Sequence, residues 1–181
     1  LSLHDALPIY DAVTMMKPNY DNYCFSENKL ADCMFNSDMV LYCMKSLILH
    51  GVKPKEIVDP NIRTDFNKLA YLVRLDHGLG ENFSVIKEIA EQGEIVTEIV
   101  THFSALEMTD VGNFKSLLFY FGLLSIKGVD MMGRPILHIP NLVVREQLFN
   151  FLIQGYARHD IFKLDVNRLR TLFENMSFKG D

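Results

Sequence analysis

Apolar residues recur at helical spacing in several stretches of the chain, and glycine or proline ends most of them. After Ser37, the residues Val40, Leu41, Met44, Leu47 and Ile48 fall on one helical face. Ser37 is the expected N-cap, Gly51 the stop, and Pro54 bars a return to helix. Val52–Ile62 holds two prolines and reads as a connection. A second helix is expected over Asp65–Leu75, capped by Thr64, with Phe66, Leu69, Ala70 and Val73 on one face. A third fits Phe83–Gln92 and ends at Gly93. Ile95–Val100 is β-branched and is expected to be extended. Thr109 or Asp110 can cap a helix through Phe121, with Phe114, Leu117, Leu118 and Phe121 turned inward.

Beyond Gly122, Leu123–Lys127 reads as a strand, Gly128–Arg134 as a turn and Pro135–Ile139 as the return strand. Asn141 is placed to cap a long helix to about Tyr156, and a final helix follows Asp165. Tyr10–Phe35 has weak periodicity and is expected to be irregular or partly extended. The pattern therefore predicts a mainly α protein with a small β-hairpin: a helical bundle plus a winged-helix-like subdomain. The order helix, short strand, helix, hairpin, helix from Phe83 onward carries the latter expectation.

Composition narrows the function classes. The chain has 181 residues, 49% hydrophobic and 23% charged, which suffices for a sizeable core. A net charge of -5 makes it a poor default nucleic-acid binder, because phosphate affinity rests on clustered Lys and Arg. No apolar run reaches the roughly 18 residues of a membrane span. Cys24, Cys33 and Cys43 are widely spaced without CxxC, and point to ordinary packing in a reducing, cytoplasmic setting. The histidines are scattered, and no metal site is expected.

Catalytic motifs are sparse. No GxxxxGK[ST] loop is present to cradle phosphates. Ile57-Val58-Asp59 approaches the end of an apolar strand but runs at once into Pro60, which favours a turn. Glu27-Asn28-Lys29 has the letters of a nuclease motif in a polar setting, where a solvated loop is expected. The putting-together of a winged helix invites DNA binding, with Asp110, Asn113, Lys115 and Ser116 on the second helix and Lys127, Asp130 and Arg134 on the wing. That is little positive charge, and packing against another protein domain is the preferred expectation. In Asp59–Lys68 (DPNIRTDFNK), Asp65 complements a helix dipole and can pair with Lys68, while Arg63 or Lys68 could reach an anionic ligand.

Several blocks resemble one family. They are Tyr20–Ser26 (YDNYCFS), Asn36–Leu41 (NSDMVL), Asp59–Leu69 (DPNIRTDFNKL), Asn82–Ile86 (NFSVI), Asn113–Gly128 (NFKSLLFYFGLLSIKG) and Gly133–Arg145 (GRPILHIPNLVVR). Together they are similar to the latter part of the bacterial AAA-ATPase-like proteins, over about Tyr10 to Asp181. The resemblance implies residues 10–80 as the helical end of an ATPase-like region, 81–158 as a winged-helix-like lid, and 159–181 as a helix leading to a further domain. The expected partners are then a P-loop core before Tyr10 and a PD-(D/E)XK nuclease-like domain after Asp181, in the same protein. It implies ATP as cofactor of the parent and none for this portion alone, no catalytic residue here, and Arg63 and Lys68 as the residues nearest nucleotide. The alternatives are a winged-helix DNA-binding regulator and a protein-interaction module. Leu1–Ile9 (LSLHDALPI) resembles a translated sequencing adapter, and is expected to stand outside the fold, with the true N-terminus missing.

Overall fold

The computed structural model describes residues 9–56, 58, 71 and 80–158. Residues 1–8, the Asp65–Leu75 helix apart from Tyr71, Asp59–Lys68 with Arg63 and Lys68, and the helix after Asp165 lie outside them. The described residues form a mainly helical protein with a small three-stranded antiparallel sheet.

The N-terminal region departs from expectation. Ile9–Tyr20 is a helix, α1, where the sequence suggested irregular chain. Its inward residues Ala12, Met16 and Tyr20 are spaced four apart. So short a run reads as weak periodicity in the sequence; Pro18 lies inside the helix and removes one backbone donor there. After α1 the chain runs out through Tyr23 to an exposed 3-10 turn at Glu27–Lys29, and back to Met34. The Glu27-Asn28-Lys29 triplet is thus surface turn, not core strand.

Helix α2, Ser37–His50, begins one residue earlier than expected. Asn36, not Ser37, is the cap: its Oδ1 accepts from the amides of Asp38 and Met39, each at 3.1 Å. Gly51 closes the helix in the left-handed conformation, φ 68°. The inward face is also shifted. Met39 and Cys43 are buried and Val40, Met44 and Leu47 pack beside them, whereas Leu41 and Ile48 face outward. Together with α1 and Val143 these residues make a second, smaller core.

Helix α3, Glu81–Gln92, buries Phe83, Ile86, Ile89 and Ala90 and stops at Gly93, φ 81°. Strand β1, Glu94–Val96, follows at once, shorter than the Ile95–Val100 predicted. Helix α4, Val111–Tyr120, starts after Asp110, whose side chain makes no cap bond. Leu123 and Leu124 are not strand. Their amides close the helix end by donating to the Leu118 carbonyl, and both side chains are buried. Strand β2 is therefore Ser125–Val129, which takes Gly128 out of the predicted turn, and β3 is Pro135–His138. Helix α5, Leu142–Arg158, is capped as expected by Asn141, whose Oδ1 accepts from the Val144 amide at 3.1 Å.

The strands lie in the order β1-β3-β2. Ile95, Leu137 and Ile126 share one register row and are buried against α3, α4 and α5, where the main core lies. The next row, Glu94, His138 and Ser125, turns to the opposite face. This order and connectivity are compatible with a winged helix.

Candidate functional site

The segment that precedes Arg63 and Lys68 returns over the C-terminal end of α2. Ser46 Oγ donates to the Val52 carbonyl at 3.0 Å, and Tyr42 Oη donates to the Glu56 carbonyl at 3.1 Å. Val58 then packs on the second core. The result is an open cleft of about 760 Å³, lined among others by Tyr42, Lys45, His50, Lys53, Lys55 and Glu56. Its cations would attract an anion. They also lie beside the negative end of the α2 dipole, which lysines stabilise without any ligand. Arg63 and Lys68 themselves are outside the described residues, so the structure does not place them in this cleft.

The winged-helix features that could meet DNA are partly occupied, although Asp110 stays exposed and Lys115 half-buried. Along α4, Phe114, Ser116, Leu117, Leu118 and Phe119 are all buried. Ser116 Oγ donates to the Gly112 carbonyl at 3.1 Å and accepts from the Val100 amide at 2.9 Å. Tyr120 Oη reaches the Val100 carbonyl at 3.2 Å. The Thr97–Phe103 segment thus lies over one flank of α4. Phe25 covers another, with its ring 5.8 Å from that of Phe119. Asn113, a candidate base-reading residue, donates instead to the Glu107 carbonyl at 2.9 Å.

The wing is equally self-contained. Lys127 pairs with Glu94 on β1. Arg134 pairs with Asp130, Nη2 to Oδ2 at 2.7 Å, and Asp130 also accepts from the amides of Met132 and Arg134. These bonds, led by the one from the Arg134 amide, hold the Asp130 carboxyl below its ordinary value. At the tip stand Met131 and Met132, both fully or largely exposed, where a phosphate-binding wing would carry cations.

Beside α4 a second, smaller groove of about 280 Å³ runs between Tyr23, Phe25, Met34, Phe35 and Tyr120 and the start of α2. Its floor is tied to the sheet through long-range contacts that are not legible along the chain. Ser125 Oγ donates to the Asn22 carbonyl and accepts from the Cys24 amide, each at 2.7 Å. The Ile126 amide donates to the Cys24 carbonyl at 3.0 Å, so this segment covers the edge of β2. Asn141 Nδ2 donates to the Asp21 carbonyl at 3.1 Å. Tyr23 is buried above them; burial raises its phenol pKa, which hydrogen bonds with Asn141 and Asn36 counter.

Among the described residues, no three His, Cys, Asp or Glu converge to hold a metal ion, and no helix is long and apolar enough to cross a membrane. Neither protein-family models, curated proteins nor solved structures match this chain.

Proposed function

We propose that this chain is a noncatalytic packing module, the lid portion of an AAA-ATPase-like protein whose P-loop core precedes it and whose nuclease-like domain follows. The family comes from the sequence resemblance. The packing role rests on one observation: α2 carries apolar residues on both sides. Its inner side builds the second core, while Leu41 and Ile48 on its outer side, with Leu49 and Val52 at its end, are 59–69% exposed. Lys45 and Asp38 share that outer side, so it is an amphipathic surface whose exposed apolar residues mark a contact face. The outer side of α2 is the surface on which the ATPase core packs, and Arg63 and Lys68 approach the nucleotide from the segment that follows. The partly occupied face of α4 and the paired wing cations favour this reading over a DNA-binding regulator.

The test uses the longer parent protein. Leu41→Asp with Ile48→Asp lowers ATP turnover at least tenfold, while the same changes leave unfolding of the 181-residue chain nearly unaltered. Arg63→Ala lowers turnover without unfolding. Unchanged turnover in both, or an upstream sequence with no GxxxxGK[ST] after a strand, overturns the proposal. Tight, salt-sensitive binding of duplex DNA by this chain would favour the regulator instead.

A further inference from the structure

Cys24 and Cys33 meet across the turn that the chain makes after α1. Tyr23 and Met34 exchange both backbone hydrogen bonds, at 3.0 and 2.9 Å, as a single antiparallel bridge. Cys24 and Cys33 are the next residues inward on the two arms. The position next to a doubly bonded pair in an antiparallel ladder is the non-hydrogen-bonded one, where Cα atoms come to about 4.5 Å and side chains are nearest. That separation lies within the range a disulfide spans.

The side chains converge as well. Cys24 Sγ donates to the Ser26 carbonyl at 3.2 Å, with the Lys29 carbonyl 3.6 Å away, and Cys33 Sγ donates to the Leu30 carbonyl at 3.5 Å. Both thiols therefore turn into one short turn. Cys24 is buried and Cys33 exposed, and neither is bonded. Cys24 is held from outside the turn by Ser125 and Ile126, and the two arms are tied to each other through Tyr23 and Met34.

We propose that Cys24 and Cys33 form a reversible intramolecular disulfide that clips the 25–32 turn against the sheet. The oxidant is a small-molecule disulfide. The Cys33 thiolate attacks one of its sulfurs, forming a mixed disulfide and releasing one small thiol. The Cys24 thiolate then attacks the Cys33 sulfur, the Cys24–Cys33 bond forms, and the second small thiol leaves. Two protein thiols are oxidised and one disulfide is reduced to two thiols, which take up the two protons. The exposed residue reacts first because it is reachable; the buried one resolves. Partial desolvation, then the neighbouring Cys24, Asp21 and Asp32, hold the Cys33 thiol above its ordinary value. Exchange is accordingly slow at neutral pH and quickens as pH rises, since the thiolate is the nucleophile. Phe25 lies in the clipped turn and walls the aromatic groove, so oxidation fixes that wall in place.

The experiment equilibrates the full chain with oxidised and reduced glutathione, then blocks free thiols and weighs the protein. Closure leaves one blocked thiol instead of three and removes about 2 Da from the protein itself, without a glutathione adduct, and dithiothreitol reverses it. Tryptic cleavage after Lys29, followed by cleavage before Asp38 to part Cys33 from Cys43, leaves the Cys24 and Cys33 peptides joined only through sulfur. The short loop raises Tm by about 5–10 °C. Cys33→Ser, at an exposed position, abolishes both the mass loss and the shift while leaving the reduced Tm as it was. A stable glutathione adduct on Cys33, a bond to Cys43, a Cys33-linked dimer, or three thiols that stay free would each overturn the proposal.

Discussion

Ser125 joins parts of the chain 101 and 103 residues apart through one hydroxyl. It is fully buried, and so is the Cys24 amide that it satisfies. Ser125→Ala leaves that amide without its partner inside the protein, which costs about 1–3 kcal/mol. Urea unfolding should show this loss. Ser46→Ala is the control: it removes an exposed hydroxyl bonded to the Val52 carbonyl and should change stability by less than about 0.5 kcal/mol. Equal effects from the two would show that burial does not set the value of the Ser125 contact. The local sequence sets Ser125 between Leu124 and Ile126 but carries no sign that its hydroxyl meets Cys24 and Asn22. By contrast, Asn141 could be recognised as a cap because capping is a contact with the next few residues. Its other bond, to Asp21, could not.

At the level of elements, Phe83 of α3 packs directly onto Gly155 of α5. A β-carbon there would lie 2.3 Å from Phe83 Cε2 and 2.9 Å from its Cζ. Alanine in place of glycine gains about 1 kcal/mol of helix propensity. Overpacking of this kind costs about 1–3 kcal/mol. The ring has little room to yield, because Tyr156 meets it edge-on at 5.2 Å and Phe151 lies at 6.1 Å. The clash should win, so Gly155→Ala lowers the unfolding midpoint. Adding Phe83→Leu should narrow the difference between glycine and alanine at 155, and thermal unfolding of the four proteins checks it. A plain increase in stability from the single change would show that the ring moves freely. Helix α5 itself was legible from its cap and periodicity, but this close approach was not. Helix α1 shows the opposite failure, since the spacing of Ala12, Met16 and Tyr20 was present in the chain but too short a run to read as more than weak periodicity.

Across the whole molecule, the response to pH sums over every group whose affinity for protons changes on folding. His138 sits in the sheet row between Glu94 and Ser125. Burial first, then Lys127, lowers its pKa from the ordinary 6.5, against a smaller opposing effect of Glu94. The unfolded chain therefore takes up this proton more readily than the folded one, and stability falls as pH drops below 6.5. The exposed carboxyls of Asp130 and Glu107 are held below their ordinary 3.8 and 4.5, so what they contribute is present above those values and is lost in stronger acid. Unfolding midpoints measured from pH 7.5 down to about 5 should decline. His138→Gln should flatten that decline and leave the more acidic one in place. An unchanged slope would remove His138 from the account.

Local patterning determined most of the helices, the hairpin and the Gly51 and Gly93 stops, because periodicity, capping and turn preference act within a few residues. The small net charge and the thin supply of cations on the hairpin were also plain from the chain alone. Tertiary structure decided which apolar residues of α2 face inward, since a second layer of contacts can select either side of a helix that carries apolar residues on both. It decided as well that α4 is partly covered, that both wing cations are paired, and that Cys24 stands beside Cys33. Each of these depends on distant segments brought together by packing, and residue spacing along the chain carries no record of that distance.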